Sequence, residues 1–290
     1  MSDWTDRGGG HDHARPRYLT AKRSVDDRAR DRRVRERLLA ALPEHPRVGE
    51  AGCGTGLSVP TLYDWGLTPR SYRGVDTDPG IIAFARWFVP RVLRRRGLNA
   101  SGTDVTFDVG DALQTLPDAI HAEGVDLVLA QSFLDLVPVG RALDTLGRAA
   151  GDDGLVYAPL TFDGETVFLP EHPADERVIQ AFHAAIDATP GRDSRAGRHL
   201  LNRLRERGAL VEAVAASDWI VRPSSDGSYP ADERYFLGCI LEFVADALGD
   251  IEGGEAWLET RRRQLRAGEL TYVAHGYDLL WRPGPEVTDP

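Results

Sequence analysis

Val48-Gly49-Glu50-Ala51-Gly52-Cys53-Gly54-Thr55-Gly56 reads as the end of a buried strand, a glycine turn and the start of a helix. Glycines at alternate positions leave no Cβ in the way, so the backbone turns sharply and a ligand can lie against it. A glycine turn between strand and helix is the nucleotide-binding element of doubly wound α/β folds. The spacing is G-x-G-x-G, and Glu50 stands two residues ahead of the first glycine. A pyrophosphate at that turn would meet an anion, whereas a ligand with an ammonium group would be favoured.

The chain beyond the turn alternates strand and helix. Tyr72 to Asp76 reads as the second strand, and Asp78-Pro79 as the cap and first residue of a helix running to about Arg96. Pro90 predicts a kink or an early end to that helix. Asp104 to Asp108 is the third strand, Val125 to Ala130 the fourth and Gly154 to Leu160 the fifth. The continuous apolar run of the fourth suits a sheet buried on both faces. The pattern predicts an α/β fold with a doubly wound, mostly parallel, seven-stranded Rossmann-like sheet and helices on both faces. The carboxyl ends of its parallel strands share one edge, and ligands bind there.

Thr161 to Asp193 breaks the alternation. It reads as an insertion leaning over that edge, with a loop at Phe168 to Pro173 and a helix over about Asp175 to Asp187. A helix (Ala196 to Gly208), a broken sixth strand (Leu210 to Val221), two helices (Asp232 to Leu248, Glu255 to Ala267) and a last strand (Leu270 to Trp281) follow. Upstream, residues 1–17 read as a disordered tail, residues 18–45 as a helical arm, and residues 46–290 as the main domain with the insertion at about 161–194. Ser24 is the expected N-cap of the arm helix and Pro43 its stop. The arginines of the arm, Arg28, Arg30, Arg32, Arg35 and Arg37, read as a solvated face.

The chain has 290 residues, 42% of them hydrophobic and 28% charged, with a formal charge of −10. This is the composition of a globular domain with a core, and the acidic balance argues against nucleic acid as the partner. Cys53 and Cys239 are the only cysteines and form no zinc spacing, and His11 and His13 lack further ligands, so no metal is expected. No apolar run is long enough to cross a bilayer, so no membrane is expected and the location is expected to be cytoplasmic. The oligomeric state stays open, a homodimer included.

Three features follow the turn in order. Asp76 ends the second strand twenty residues beyond Gly56, where an acid can accept both ribose hydroxyls, with Thr77 beside it. Asp111 follows the third strand in a Gly-Asp-Ala turn; it can accept an adenine amino group while the Ala112 amide faces a ring nitrogen, or it can cap a helix. Gln131 follows the fourth strand. The series Glu50, Gly52-Gly54-Gly56, Asp76, Asp111, Gln131 resembles the motifs of the class I S-adenosylmethionine-dependent methyltransferases, over about Val48 to Leu160. Gly49 departs from it, since such proteins often carry a bulky apolar residue there.

The resemblance implies S-adenosylmethionine as cofactor, S-adenosylhomocysteine as product, and in-line attack of a nucleophile on the sulfonium methyl. Ala130-Gln131-Ser132-Phe133 stands where an N-P-P-Y motif for base amino groups would be, which favours a small-molecule acceptor. Asp135 and His172 are the candidate catalytic groups, each also readable as an ordinary loop residue, and His183 is a weaker candidate. Arg198 could hold an acidic substrate or pair with a carboxylate. Lys22, the only lysine, is expected near the cofactor's carboxylate or the acceptor, with Arg23 as its alternative and residues 18–23 folded over the cofactor. The rival readings are a protein that binds the cofactor without catalysis, and an NAD-dependent oxidoreductase.

Overall fold

The computed structural model describes residues 15–98, 102–119 and 124–284. Residues 1–14, with His11 and His13 and most of the expected tail, lie outside them. Three short helices precede the sheet: α1 (Pro16–Ala21), α2 (Arg23–Ala29) and α3 (Arg32–Ala41). Proline suits a first helical position, so the arm begins at Pro16 and takes in two residues assigned to the tail. The single long arm helix is broken because Arg30 and Asp31 are extended. Asp31 caps α3, accepting from the amides of Arg33 at 2.8 Å and Val34 at 3.0 Å. Ser24, the expected cap, sits inside α2 and donates instead to Glu233 at 2.7 Å.

The sheet and its crossovers follow as β1 (Arg47–Ala51), α4 (Ser58–Asp64), β2 (Ser71–Asp76), α5 (Pro79–Arg95), β3 (Asp104–Val109), α6 (Ala112–Ala119), β4 (Leu127–Leu129), α7 (Val139–Ala150) and β5 (Leu155–Leu169). Helix α5 runs on through Pro90. The remainder is α8 (Asp175–Asp187), α9 (Ala196–Glu206), β6 (Leu210–Ala216), β7 (Trp219–Val221), α10 (Glu233–Ala247), α11 (Gly254–Ala267) and β8 (Thr271–Arg282). The strand order is β3-β2-β1-β4-β5-β8-β6, with β7 added against β8. Strands β1 to β5 pair in parallel and β8 runs antiparallel to its neighbours. The order reverses between β1 and β4, the switch point at which such sheets open a crevice. The broken sixth strand is two strands: β6 pairs with residues 277–282 of β8 and β7 with residues 272–274.

Two cores fill the two faces of the parallel sheet. Leu38, Leu62, Ile82 and Val89 pack under α3, α4 and α5, and Leu116, Leu143, Leu146 and Leu200 under α6, α7 and α9. The third core corrects the reading of the insertion. β5 does not end at Leu160 but continues to Leu169, paired with β8 as far as Thr271. The β-branched and aromatic residues Thr166, Val167 and Phe168 extend the strand into the segment read as an insertion, up to the start of the loop expected at Phe168 to Pro173. Around this ribbon, Tyr18, Val25, Phe168, Val178, Phe236, Trp257 and Tyr272 bury one another. The insertion is therefore part of a cap shared with α1, α2, α10 and α11, and it extends past the carboxyl edge. No helix among the described residues is long and apolar enough to cross a membrane.

Arg261 anchors the cap. It is fully buried and donates to Asp175 and to the carbonyl of Pro170, each at 2.5 Å. Trp257 Nε1 donates to the same Asp175 oxygen at 2.6 Å. Removing one partner of a buried pair strands the other without water. Arg261→Leu should lower stability by about 3 kcal/mol in urea unfolding; a loss within about 0.5 kcal/mol, the range of neutral surface changes, would show the pair to be dispensable.

Candidate functional site

The turn after β1 has φ of 67° at Gly52, 50° at Gly54 and 72° at Gly56, a region that disfavours side chains. A Cβ on Gly52 would lie 2.6 Å from the Phe133 ring, and one on Gly56 2.7 Å from Phe107. The end of β2 holds the turn. Val75 O accepts from the amides of Gly52 at 2.9 Å and Cys53 at 3.1 Å. Asp76 Oδ2 accepts from Gly54 N at 3.0 Å and Oδ1 from Asp78 N at 3.1 Å. Asp78 caps α5 through Ile81 N. Asp76 thus stands at the crevice with the turn in its grip, and Thr77 beside it is exposed.

At the end of β3, Asp111 accepts from Leu113 N and Gln114 Nε2, each at 2.9 Å, so it caps α6, and Ala112 is buried behind it. Glu50 is 2% exposed, with its oxygens taken by Ser58 Oγ at 2.6 Å and by the Tyr72 hydroxyl. It lies beneath the turn, closed to solvent, rather than open to a ligand as expected.

The arm closes the crevice from above. Leu19 of α1 lies 3.1 Å from where a Gly54 Cβ would stand. Lys22 Nζ contacts Asp26 Oδ2 at 3.1 Å and donates to Ser132 Oγ at 3.2 Å. Gln131 accepts from Arg30 at 2.7 Å and donates to Asp26 at 3.2 Å. Arg23 instead turns outward to Asp64 at 3.1 Å. The structure thus gathers Lys22, Gln131 and the turn at the ends of β1 and β4.

Asp135 belongs to the same edge. It follows Ser132 in one turn, its carboxyl feels the charge of Lys22, and burial pushes it up to about 6. His172 does not belong there. Its Nδ1 accepts from Ala174 N at 3.2 Å in the turn before α8. The stretch from Leu160 to Leu169, at ~3.3 Å per strand residue, carries the chain up to roughly 30 Å past the edge. Among the described residues, the hydrogen bonds of His172 stay within the turn before α8, and none reaches Lys22, Gln131 or Asp135. His183 contacts Thr166 Oγ1 at 3.0 Å, within the cap. Arg198 grips Asp163, its Nε donating at 3.1 and 2.9 Å to the two carboxylate oxygens, which makes it a partner for a carboxylate of the chain itself.

Among solved structures, a candidate methyltransferase of Bacillus halodurans matches with a TM-score of 0.53 at 13% identity, over 87% of this chain and 99% of that one. A Thiobacillus denitrificans S-adenosylmethionine-dependent methyltransferase, solved with S-adenosylhomocysteine, aligns at 18% identity and a TM-score of 0.49, over 93% of this chain and 99% of that one. No family model and no curated protein matches the sequence. The fold is that of the class I methyltransferases.

Within this methyltransferase fold several polar residues at the site escaped the sequence reading. Arg30, read as solvated, is 6% exposed at its side chain and lies over the Trp65 ring. Its place follows from the break between α2 and α3, which no periodicity announced. Asp278 is fully buried, accepting from Asp31 N at 2.8 Å, Leu160 N at 3.1 Å and the Tyr157 hydroxyl at 3.2 Å. A lone acid in the apolar run Tyr277-Asp278-Leu279-Leu280 was its only signal. Ser132, just past β4, and Leu160, within β5 where its pairing with β4 has ended, have φ of 46° and 60°, strained values for residues with a Cβ.

Burial pushes Glu50 up to about 7, although the bonds from Ser58 and Tyr72 favour its charged form. A carboxyl raised on folding keeps its proton where the unfolded chain has lost it. Its stabilising effect is whole below the unfolded pKa and fades as pH climbs through the folded one. Glu50→Gln removes that dependence. Between about pH 5 and pH 8 the parent should lose about 2–3 kcal/mol more stability than the variant, read from urea midpoints. Parallel pH profiles would mean that Glu50 ionises normally in the fold.

Proposed function

We propose that the chain transfers a methyl group from S-adenosylmethionine to a small-molecule acceptor. The observation that carries this reading is the glycine turn at the switch point, held by Asp76 and followed by Asp111 at the next strand end. Asp76 and Thr77 would take the ribose. Asp111 and the Ala112 amide would take the adenine. Gly52, Gly54 and Gly56 let the backbone meet the rest of the ligand closely. Gln131 and Lys22, brought over the turn by the arm, would face the methionine end, and Glu50 beneath it would supply negative potential to an ammonium group.

The bound cofactor supplies an electrophilic methyl on a sulfonium. The chain's own work is alignment, exclusion of water and placement of charge. Leu19 and Phe133 cover the turn and keep water from it. The ends of β4 and β5 and the ribbon beyond Leu160 form the acceptor side, with Asp135 at its floor. A carboxyl whose pKa is lifted toward neutrality can orient a nucleophile and accept its proton. The Ala130-Gln131-Ser132-Phe133 segment and the acidic balance of the chain favour a small acceptor over nucleic acid.

Calorimetry should give S-adenosylhomocysteine an affinity near 1 μM, about −8 kcal/mol. Asp76→Ala should weaken it by about 1.5–3 kcal/mol, the scale of hydrogen bonds to a charged group, and Asp111→Ala by less. Equal affinity for parent and Asp76→Ala would remove the ribose assignment, and tighter binding of NAD would favour an oxidoreductase. Labelled-methyl transfer to a metabolite extract separates catalysis from binding alone. In that assay Asp135→Asn should lower turnover while its cofactor affinity stays within about 0.5 kcal/mol of the parent.

A further inference from the structure

Helix α5 carries apolar side chains on two sides. Ile81, Ile82, Ala85, Val89 and Leu93 are its buried face. Opposite them Phe84, Trp87, Phe88, Arg91 and Arg95 recur at helical spacing and form one outward stripe. Trp87 is 48% exposed, and Phe84 and Phe88 are half-buried. The ring of Phe84 touches both others, with centroids 5.7 Å from Trp87 and 5.0 Å from Phe88. Phe84 and Trp87 belong to none of the three cores, so packing within the chain does not account for them.

The charge of this helix is the reverse of the chain's. From Pro79 to Thr103 there are five arginines, Arg86, Arg91, Arg94, Arg95 and Arg96, and no acid, in a protein of net charge −10. Arg86 donates to the Phe107 carbonyl at 3.0 Å, and Arg96 pairs with Asp64 at 2.7 Å. Arg91 lies 4.5 Å over the Trp87 ring and donates to the Trp87 carbonyl at 2.7 Å. Arg91, Arg94 and Arg95 are exposed, and none of them has a carboxylate partner among the described residues. Of the acids on neighbouring elements, Asp64 is shared by Arg23 and Arg96, Asp108 pairs with Arg73, and Asp78 caps the helix. Asp104 lines the groove beside α5 that Arg94 also lines.

An exposed tryptophan among unpaired cations fits a partner that is anionic and also receives an aromatic ring. A second copy fits poorly, because a two-fold contact along α5 would set the arginines of each copy against those of the other. A single-stranded nucleic acid calls for a basic groove that tracks its backbone, which one helix does not make. From Phe84 to Arg95 the stripe is about 17 Å long and about 10 Å wide, roughly 170 Å². That is far below the ~800 Å² each partner brings to a stable protein pair. A bilayer surface needs no such area. Tryptophan favours the headgroup level, and each arginine close to an anionic surface strengthens binding by about five-fold. The −10 of the whole chain acts weakly there, since at ~0.1 M salt charges beyond about 10 Å are largely screened.

We propose that the outer face of α5 docks the protein on an anionic lipid surface, with Trp87 at the headgroup level and Arg91, Arg94 and Arg95 against the phosphates. This is attachment to a surface and not a span. It rests on α5 alone and is independent of the methyl-transfer reading.

The test sediments the full chain with vesicles of equal parts phosphatidylglycerol and phosphatidylcholine, and with vesicles of phosphatidylcholine alone. In about 0.1 M salt the anionic vesicles should bind at least about ten-fold more tightly, and about 1 M salt, where the Debye length is about 3 Å, should release the protein. Arg91→Gln and Arg95→Gln should each weaken binding about five-fold, and Trp87→Ala should weaken it too. Tryptophan fluorescence should shift to the blue on anionic vesicles, and Trp87→Phe should abolish that shift. Circular dichroism and melting show that each variant is folded, and S-adenosylhomocysteine should bind parent and variants alike. Equal binding to both kinds of vesicle, no binding to the anionic ones, or binding untouched by these substitutions overturns the proposal. Retention on polyglutamate without vesicle binding, lost in Arg91→Gln and Arg95→Gln, also overturns it and would assign the stripe to an acidic protein. A dimer without vesicle binding, lost in Trp87→Ala, overturns it in favour of a second copy.

Discussion

A single carboxylate, that of Asp278, takes three donors from two segments far apart in sequence, the arm and β5. The amide of Asp31 comes from the arm, the amide of Leu160 from the end of the parallel part of β5, and the hydroxyl of Tyr157 from the strand's interior. The Leu160 and Tyr157 donors are buried and would cost free energy if left unmade. Leu160 is held at a positive φ at this point, and β5 changes its course there. The arm is fixed at its Arg30-Asp31 break by the same group, so the placing of α1 and α2 over the glycine turn depends on it. Burial raises this carboxyl to about 6, a sign that its three donors only partly offset the loss of water.

The parallel half of the fold was readable because its determinants are local. The glycine turn, Asp78-Pro79 and the apolar run at residues 127–129 each specify a conformation by their own sterics or burial. The cap was less readable because its determinants are distant. Thr166 to Leu169 are strand only because residues 271–274 lie alongside them, and nothing within the segment shows the partner. Arg30 and Asp278 are the same case at the site. A charged residue on a short polar helix looks solvated, and a lone acid in a last strand looks accidental, until the two ends of the chain are brought together. Glu50 shows the opposite error. Its position before the turn was read from sequence, but Tyr72 and Ser58 enclose it, so its carboxyl is bonded within the fold rather than presented at the crevice.

The cap is polar where it faces the sheet and apolar within. Phe168, Phe236, Trp257 and Tyr272 supply its cohesion, while Lys22, Asp26, Gln131 and Ser132 join it to the strand ends. Apolar packing holds many geometries about equally well, whereas a charged network with defined donors holds one. The arrangement gives the cap a fixed seat over the crevice, and substitutions inside its core should alter stability more than the geometry of the site.

The sharing of β5 and β8 between the sheet and the cap also bears on how the chain folds. Tyr157 and Leu280 pair in the parallel core, and Phe168 and Tyr272 pair in the cap core, on the same two strands. Neither core can close before residues 271–282 arrive, and their contacts with residues 155–169 span more than a hundred positions. Such non-local pairing slows folding, since loop closure comes before any reward. Until then the edge of β5, apolar on both faces, stays open, and a chain waiting in that state is exposed to strand exchange with its neighbours.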